Sequence, residues 1–558
     1  MRRTLTLLGS GLLAAGLALA ASAEAPAGPA GFQPSRRDAG DLIVLEVSGS
    51  YEQMGRQQAE LLGDDLRRVY VLQKADHDRA VASGGAGAAV LDAVGIPAWA
   101  AIGGAFDDSS LHDELAGMAA GLGVSRSDLM RALLSLGGGS TVFAATRSAT
   151  ADGAALVGRN VDWDDGLGAR RPVVVHYRPD NGDIEYLFAG WPLVGVPTVG
   201  VNAAGFALSF NYFETDPQVG MLLPQWPHRR ALQKARSVAE GIEIFEKARE
   251  RGISTFMVMA DAAGDLAMVE CTPKRCAVFR PDGDWFAQSN HARTPEMIPF
   301  DRYRSPDSFD RLAGMEAAVR PHVGRITPEA AAAILRDRRT HPWPNASNVA
   351  NLYVLNAAIA HPASRTLWHA TSMEPFAPFG AYEAFSLAPG AAPAKIAASP
   401  FAGSAEQARE AASIERARRA LHAAVEERPA EAAALFDELL AESPPVLDPA
   451  RIALGAGWAK LAAGDAAGAQ AVLARARAAS ASDDVRIDAL SLSALAADRL
   501  GRRDEAAALH AAALALIDAH PEWNVYGAQA ELARRGAKQA IPAGTKPATS
   551  PYVLRIPF

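Results

Sequence analysis

Between Thr141 and Phe213 the chain is cut into short β-prone runs at Thr141–Ala145, Ala154–Val161, Pro172–Tyr177, Ile184–Phe188 and Phe206–Phe213. Asp152-Gly153 and Asn181-Gly182 separate some of them, and these dipeptides tolerate positive φ and close tight hairpins. Runs this close together leave little room for crossover helices, so an antiparallel sheet is predicted. Upstream, the apolar segment Asp41 to Gly49 reads as a strand, and Tyr51 to Tyr70 carries helical periodicity. Downstream, a helix is predicted over His228–Arg251 and another over Pro328–Asp337. Further strands are expected at Thr255–Ala260, Leu266–Val269, Val349–Ile359 and Thr366–Thr371. Runs of strands between runs of helices, without strict βαβ alternation, indicate an α+β domain over residues 41–390.

A chain of 558 residues exceeds one ordinary core, so a second domain is expected. Beyond about Pro389 the composition turns rich in Ala, Glu and Arg, and residues 404–535 favour helix. Stretches beginning at Arg428, Gly464 and Gly501 recur at about 36 to 37 residues, close to the roughly 34 of tetratricopeptide-type hairpins. An irregular helical bundle is the competing reading. If the repeats are genuine, their concave face is a candidate surface for a protein partner. Residues 536–558 read as an extended tail.

The N-terminus reads as a secretory signal over residues 1–23: Arg2 and Arg3, an apolar run from Leu5 to Ala20, then Ala21-Ser22-Ala23. That run is too short for a confident membrane span, although a retained anchor is the alternative. A Pro/Ala/Gly-rich linker is expected over residues 24–40, and a periplasmic or secreted location follows. The formal net charge is −8, and loss of the leader, which holds two arginines and no acid, makes it more negative still. Nucleic acid is thus a poor candidate partner. The two cysteines, Cys271 and Cys276, flank a predicted hairpin that an oxidising compartment could bridge, and alone they form no metal site. No metal or other cofactor is expected.

Gly137-Gly138-Gly139-Ser140-Thr141 lies just before a predicted strand. Three successive glycines there imply a sharp bend or a close approach of backbone. The motif lacks the Gly-x-Ser-x-Gly elbow of α/β-hydrolases. Further along come Val157-Gly-Arg-Asn-Val-Asp-Trp163, Gly200-Val-Asn-Ala-Ala-Gly-Phe-Ala-Leu-Ser-Phe-Asn211, Gln288-Ser-Asn-His291 and Asp307-Ser-Phe-Asp-Arg311. In this order, from about Val44 to Leu387, the chain resembles the acyl-coenzyme A:6-aminopenicillanic acid acyltransferase family, peptidase C45, and more distantly the bile-salt and penicillin V amidases. The helical tail lies outside the resemblance.

The resemblance implies a four-layer αββα N-terminal-nucleophile hydrolase fold and a precursor that cuts itself between Gly139 and Ser140. The freed α-amine, with an ordinary pKa of about 7.7 to 8.0, would serve as base for the Ser140 hydroxyl. The amides of Asn202 and Asn290 would hold the tetrahedral oxyanion. Arg159, Asp162 and Arg311 would complete the catalytic set, the carboxylate holding the amine and Arg159 orienting the hydroxyl. Each has a plainer reading: turn residue for Asn202, hairpin cap for Asn290, salt-bridge partners for the arginines. The relatives carry Cys where this chain has Ser140, a weaker nucleophile at neutral pH. Two functions remain open: an exported amidohydrolase or acyltransferase acting on a small N-acyl amide or peptide, or an inactive relative that binds partners.

Overall fold

In a computed structural model, residues 32–545 are described except for segments 84–88, 103–109, 134–138, 163–170, 194–197, 213–214, 216–225, 249–253, 340–346, 374–375 and 391–393 and residues 273, 352 and 481. The signal over residues 1–23, the start of the linker and residues 546–558 fall outside the described set.

Among the described residues fifteen strands form two sheets. The larger joins β1 (Ser35–Ala39), β2 (Leu42–Gly49), β5 (Val173–Pro179), β6 (Tyr186–Gly190), β7 (Val199–Asn202), β8 (Phe206–Asn211), β9 (Thr255–Asp261), β10 (Leu266–Thr272) and β11 (Arg275–Phe279) in that spatial order. The smaller runs β12 (Trp285–Gln288), β3 (Gly139–Ala145), β4 (Leu156–Asp162), β13 (Val354–His361), β14 (Thr366–Ala370) and β15 (Tyr382–Ser386). Their inner faces share apolar clusters: Val142, Val157 and Phe286 pack with Phe256, Val258 and Met268, and Ala358 and Leu367 pack with Val174 and Val201. Burial on both faces explains why β2 and β9 each carry a continuous apolar stretch rather than an alternating one.

The larger sheet's outer face is covered by α1 (Tyr51–Leu62), α2 (Asp64–Ser83), α3 (Ile96–Ile102), α4 (Ser110–Leu122), α5 (Arg126–Leu133), α6 (Trp226–Lys234) and α7 (Val238–Ala248). That of the smaller is covered by α8 (Pro306–Val319) and α9 (Pro328–Leu335). The order of layers is helix, sheet, sheet, helix. A capping box of Ser50 and Gln53 opens α1. The helix then crosses α4 at glycines, where a Cβ on Gly55 or Gly117 would strike the other helix's backbone.

Several expectations need correction. The antiparallel rule fails at β2 and β5, which pair in parallel. Between them the chain runs through the helical layer and then through β3 and β4 of the other sheet, so it re-enters without the hairpin that forces reversal. The segment expected to be linker up to residue 40 is the edge strand β1 from Ser35. The helix predicted over Tyr51–Tyr70 is divided at Gly63, whose φ is 52°. Likewise, the helix expected over His228–Arg251 breaks between Lys234 and Val238. Cys271 and Cys276 face each other across β10 and β11 and are disulfide-bonded.

The tail is a succession of helices: α10 (Ala405–Val425), α11 (Pro429–Glu442), α12 (Pro449–Ala462), α13 (Ala466–Ala479), α14 (Asp483–Arg499), α15 (Arg503–Ala519) and α16 (Gly527–Gly536). The sequence period has a backbone counterpart: Glu427, Gly464 and Gly501 all have positive φ, and each precedes a helix start by two residues. The tail's core continues into the first domain, with Tyr353, Phe376 and Phe379 packed among Ile414, Leu421 and Phe436. The segment expected to be extended from residue 536 folds back, burying Ile541 in that core. Among the described residues no helix is long and apolar enough to cross a membrane.

Candidate active site

Strand geometry assembles the site. Ser140 lies opposite Val161 and Val142 opposite Arg159 in the β3–β4 ladder, so with a side-chain period of two Ser140 and Arg159 share one face. That face also carries Val142 and points between the sheets. Gly139 and Asp162, paired directly across the ladder, belong to the opposite face with Thr141. The Arg159-Asn160-Val161-Asp162 spacing therefore puts its cation beside the hydroxyl and its carboxylate beside the Gly139–Ser140 peptide bond.

Arg159 Nη2 donates to Ser140 Oγ at 2.5 Å, and its Nη1 donates to the Thr198 carbonyl. Ser140 Oγ donates to the Gly139 carbonyl at 2.6 Å. The Ser140 N–H donates to Asn290 Oδ1 at 2.7 Å. Arg311 enters from α8, its Nη1 donating to the Ser140 carbonyl at 2.7 Å and to Thr141 Oγ1 at 3.1 Å, its Nη2 to Asn290 Oδ1 at 3.0 Å. Asp307, one turn earlier, holds the same guanidinium at 3.0 Å, and Asp162 lies 3.3 Å from it. All these side chains are buried, and Ser140 is 2% exposed.

Burial sets the electrostatics. It pulls Arg159 down to about 9 against the opposing pull of Asp162, which leaves the guanidinium charged at neutral pH. Burial also raises the Asp162 carboxyl, with Arg311 and Asn351 acting against the rise. Each charge is thus weakened because its best counter-charge is elsewhere or shared. Among the described residues no cluster of three His, Cys, Asp or Glu could hold a metal.

Of the residues the sequence singled out, Ser140, Gly139, Arg159, Asp162, Asn290 and Arg311 come together. Asn202 does not join them. Its Nδ2 donates to the Leu232 and Ala235 carbonyls at 3.0 and 2.7 Å, and its Oδ1 accepts from the backbone N–H of Ala204 and Phe206. It therefore ends α6 and closes the β7–β8 turn, and its side-chain amide has no hydrogen left for an oxyanion. Asn290 is also used differently from expectation. Two donors, Ser140 N–H and Arg311, fix its oxygen toward the nucleophile, and its Nδ2 donates to the Tyr212 carbonyl at 3.0 Å.

Residues without an assigned role sit in the same network. Ser308 Oγ accepts from Asn290 N–H at 2.9 Å and bonds His291 Nδ1 at 2.9 Å. Asn211 Nδ2 donates to the Ser289 carbonyl at 2.9 Å. Both Asn211 and His291 were within the motifs that carry the resemblance, and the i, i+4 spacing of Asp307 and Arg311 was a readable signal for their ion pair.

A family model described as acyl-coenzyme A:6-aminopenicillanic acid acyl-transferase matches residues 148–372. No curated protein sequence matches the chain. Among solved structures, the Caenorhabditis elegans N-acylethanolamine-hydrolyzing acid amidase ortholog is 14% identical, with 40% of this chain and 93% of that one covered and a TM-score of 0.30. Penicillin V acylase from Agrobacterium tumefaciens is 12% identical over 44% and 86%, also at 0.30. A mutant conjugated bile acid hydrolase from Clostridium perfringens is 13% identical over 44% and 92%, again at 0.30. At those TM-scores the superpositions add nothing to the geometry. Across the span that holds Arg159, Asp162, Asn290 and Arg311, and that begins just after Ser140, the chain matches the acyl-coenzyme A:6-aminopenicillanic acid acyl-transferase family.

Proposed function

We propose that the chain is an exported, self-processing amide hydrolase in which Ser140 is the nucleophile. The observation that carries this reading is the pair of contacts on one residue: a guanidinium on Oγ and a neutral amide oxygen on the backbone nitrogen. The family match favours amide cleavage or acyl transfer, and a small N-acyl compound as substrate.

In the first step Ser140 Oγ adds to the Gly139 carbonyl carbon, and the C–N bond breaks as the acyl group passes from nitrogen to oxygen. Water then hydrolyses the ester, leaving a Gly139 carboxylate and a free α-amine on Ser140. Asp162, on the far face beside Gly139, lies next to the bond that breaks. In turnover the amine takes the Oγ proton as Oγ attacks the substrate carbonyl, and that proton goes to the leaving amine. Water hydrolyses the acyl-enzyme by the reverse use of the same amine. Asn290 Oδ1 keeps the amine's lone pair aimed at Oγ, and Arg311 fixes the residue through its carbonyl. Arg159 stabilises negative charge on Oγ as it forms, a contribution of about 3 to 4 kcal/mol for one pre-placed donor.

Intact mass and N-terminal sequencing of the purified protein test this. Two fragments, one starting at Ser140, with both cutting and amide turnover lost in Ser140→Ala, are expected. A single chain that starts near Glu24 and is unaffected by Ser140→Ala would remove the free-amine mechanism and leave the inactive binding protein.

A further inference from the structure

The helical tail has no part in the chemistry above, yet one of its turns is tied to the segment that leads into α8. Asn524 Oδ1 accepts from the Arg304 backbone N–H at 2.8 Å, and Asn524 Nδ2 donates to the Asp301 carbonyl at 2.6 Å. Arg304 Nε donates to the Glu522 carbonyl at 3.1 Å. These bonds join residues more than two hundred positions apart, and they grip the chain immediately before Asp307 and Arg311.

From Arg304 a continuous path leads to the nucleophile. Its guanidinium lies over the Phe309 ring at 5.1 Å, and its Nη1 donates to the Ala292 carbonyl at 2.9 Å. Phe309 stacks on His291 with centroids 3.9 Å apart. His291 Nδ1 meets Ser308 Oγ, which accepts from Asn290 N–H, and Asn290 Oδ1 accepts from Ser140 N–H. Asp301 adds a second tie, accepting from the Ala292 N–H at 2.7 Å. On the tail side the turn is equally fixed. His520 stacks on Trp523 at 3.7 Å and reaches Asp483, the first residue of α14, while Tyr526 is buried.

We infer that the tail turn Glu522–Tyr526 is a positioning element for the active site, setting Asn290 and Arg311 against Ser140 through Arg304, Phe309, His291 and Ser308. The tail is then a subunit of the catalytic machinery held in the same chain, and whatever moves α14 relative to α8 changes the rate of the chemistry. A tail that served only as a separate binding module would need no such contact with the segment that leads into α8. This inference rests on Ser140 being the residue that reacts.

The test compares Asn524→Ala and Arg304→Lys with Arg338→Gln, which breaks a different contact between tail and first domain, the Arg338–Glu410 pair at 2.8 Å. The full-length protein is assayed for appearance of the fragment starting at Ser140 and for kcat and KM on a series of N-acyl p-nitroanilides. Asn524→Ala and Arg304→Lys are expected to slow both cutting and kcat by about fivefold or more, with KM changed less than about twofold, in the range seen for residues that couple sites without touching substrate. Arg338→Gln should leave both rates unchanged. Unchanged rates in Asn524→Ala, or an equal loss in Arg338→Gln, overturn the inference.

If the parent chain itself neither cuts nor turns over, the reading of Ser140 fails separately. The inference is then decided in a Ser140→Cys background, where the disulfide at Cys271 and Cys276 leaves the introduced thiol as the one free sulfhydryl. Asn524→Ala must alter the rate and pH profile of its alkylation by iodoacetamide by about fivefold, and Arg338→Gln must not. Identical profiles in all variants overturn it.

Discussion

Two regions bury arginine and aspartate together, and they do so to opposite electrostatic effect. In the tail, Arg451 of α12 sits 2.7 Å from Asp484 of α14 and 3.6 Å from Asp448, and these partners hold its pKa above the ordinary value despite full burial. Asp484 is correspondingly lowered, while burial and the nearby Asp484 push Asp488 well up, with Arg451 acting against the rise. At Ser140 the order reverses: Arg159 is lowered and Asp162 raised. The difference lies in the acceptors. Arg451 spends its charge on a carboxylate, whereas Arg159 faces a carbonyl and a hydroxyl. A buried charge committed to a counter-ion locks two helices together. One aimed at neutral oxygens is available to charge that develops during a reaction.

The comparison breaks most visibly at Arg451. Arg451→Leu strands Asp484 in the tail core, so a stability loss of about 3 to 5 kcal/mol is expected in urea titrations. Among the described residues Arg159 is ion-paired to no carboxylate, and Asp162, which feels its charge, keeps Arg311 as partner when Arg159 becomes Leu. Arg159→Leu should instead slow cutting and turnover by about a hundredfold or more, which is about 3 kcal/mol on the barrier, with a smaller change in denaturation midpoint. If Arg159→Leu proved as destabilising as Arg451→Leu and no slower per folded molecule, both arginines would be structural.

A third, smaller effect sharpens the comparison through pH. Burial, with Arg304 and Arg311 nearby, lowers His291 to about 3 from its usual 6.5. The folded protein therefore resists a proton that the unfolded chain accepts: above about pH 6.5 there is no effect, and below it stability falls progressively. By pH 4.5 the loss is on the order of 2 to 3 kcal/mol, and His291→Asn should flatten that part of the stability curve. A curve equally steep in the variant would place the acid sensitivity elsewhere.

Much of the first domain is legible in the sequence. Asp152-Gly153 and Asn181-Gly182 sit between strands, the switch to Ala-rich sequence marks where helices take over, and the period near Glu427, Gly464 and Gly501 coincides with left-handed backbone at each. Ser140, Arg159, Asp162, Asn290 and Arg311 could be named because their motifs keep a recognisable order. An Asn before Ala-Ala-Gly suits either a turn or a site, and the four hydrogen bonds of the Asn202 side chain go to the end of α6 and the β7–β8 turn. Which side of β4 each charge occupies follows from strand period once the ladder is known, but the ladder itself is a tertiary fact.

By itself, then, the sequence determined most of the local elements, the change of composition at which the helical tail begins and the residue types available for chemistry, because turn preference, side-chain period and helix propensity act over a few neighbouring residues. Only the tertiary structure decided that β2 and β5 run in parallel, that Asn290 meets Ser140 from 150 positions away, and that Asn524 grips the approach to Arg311. Those pairings depend on which surfaces exclude water together and which buried polar atoms find partners. Both are properties of the whole packed chain.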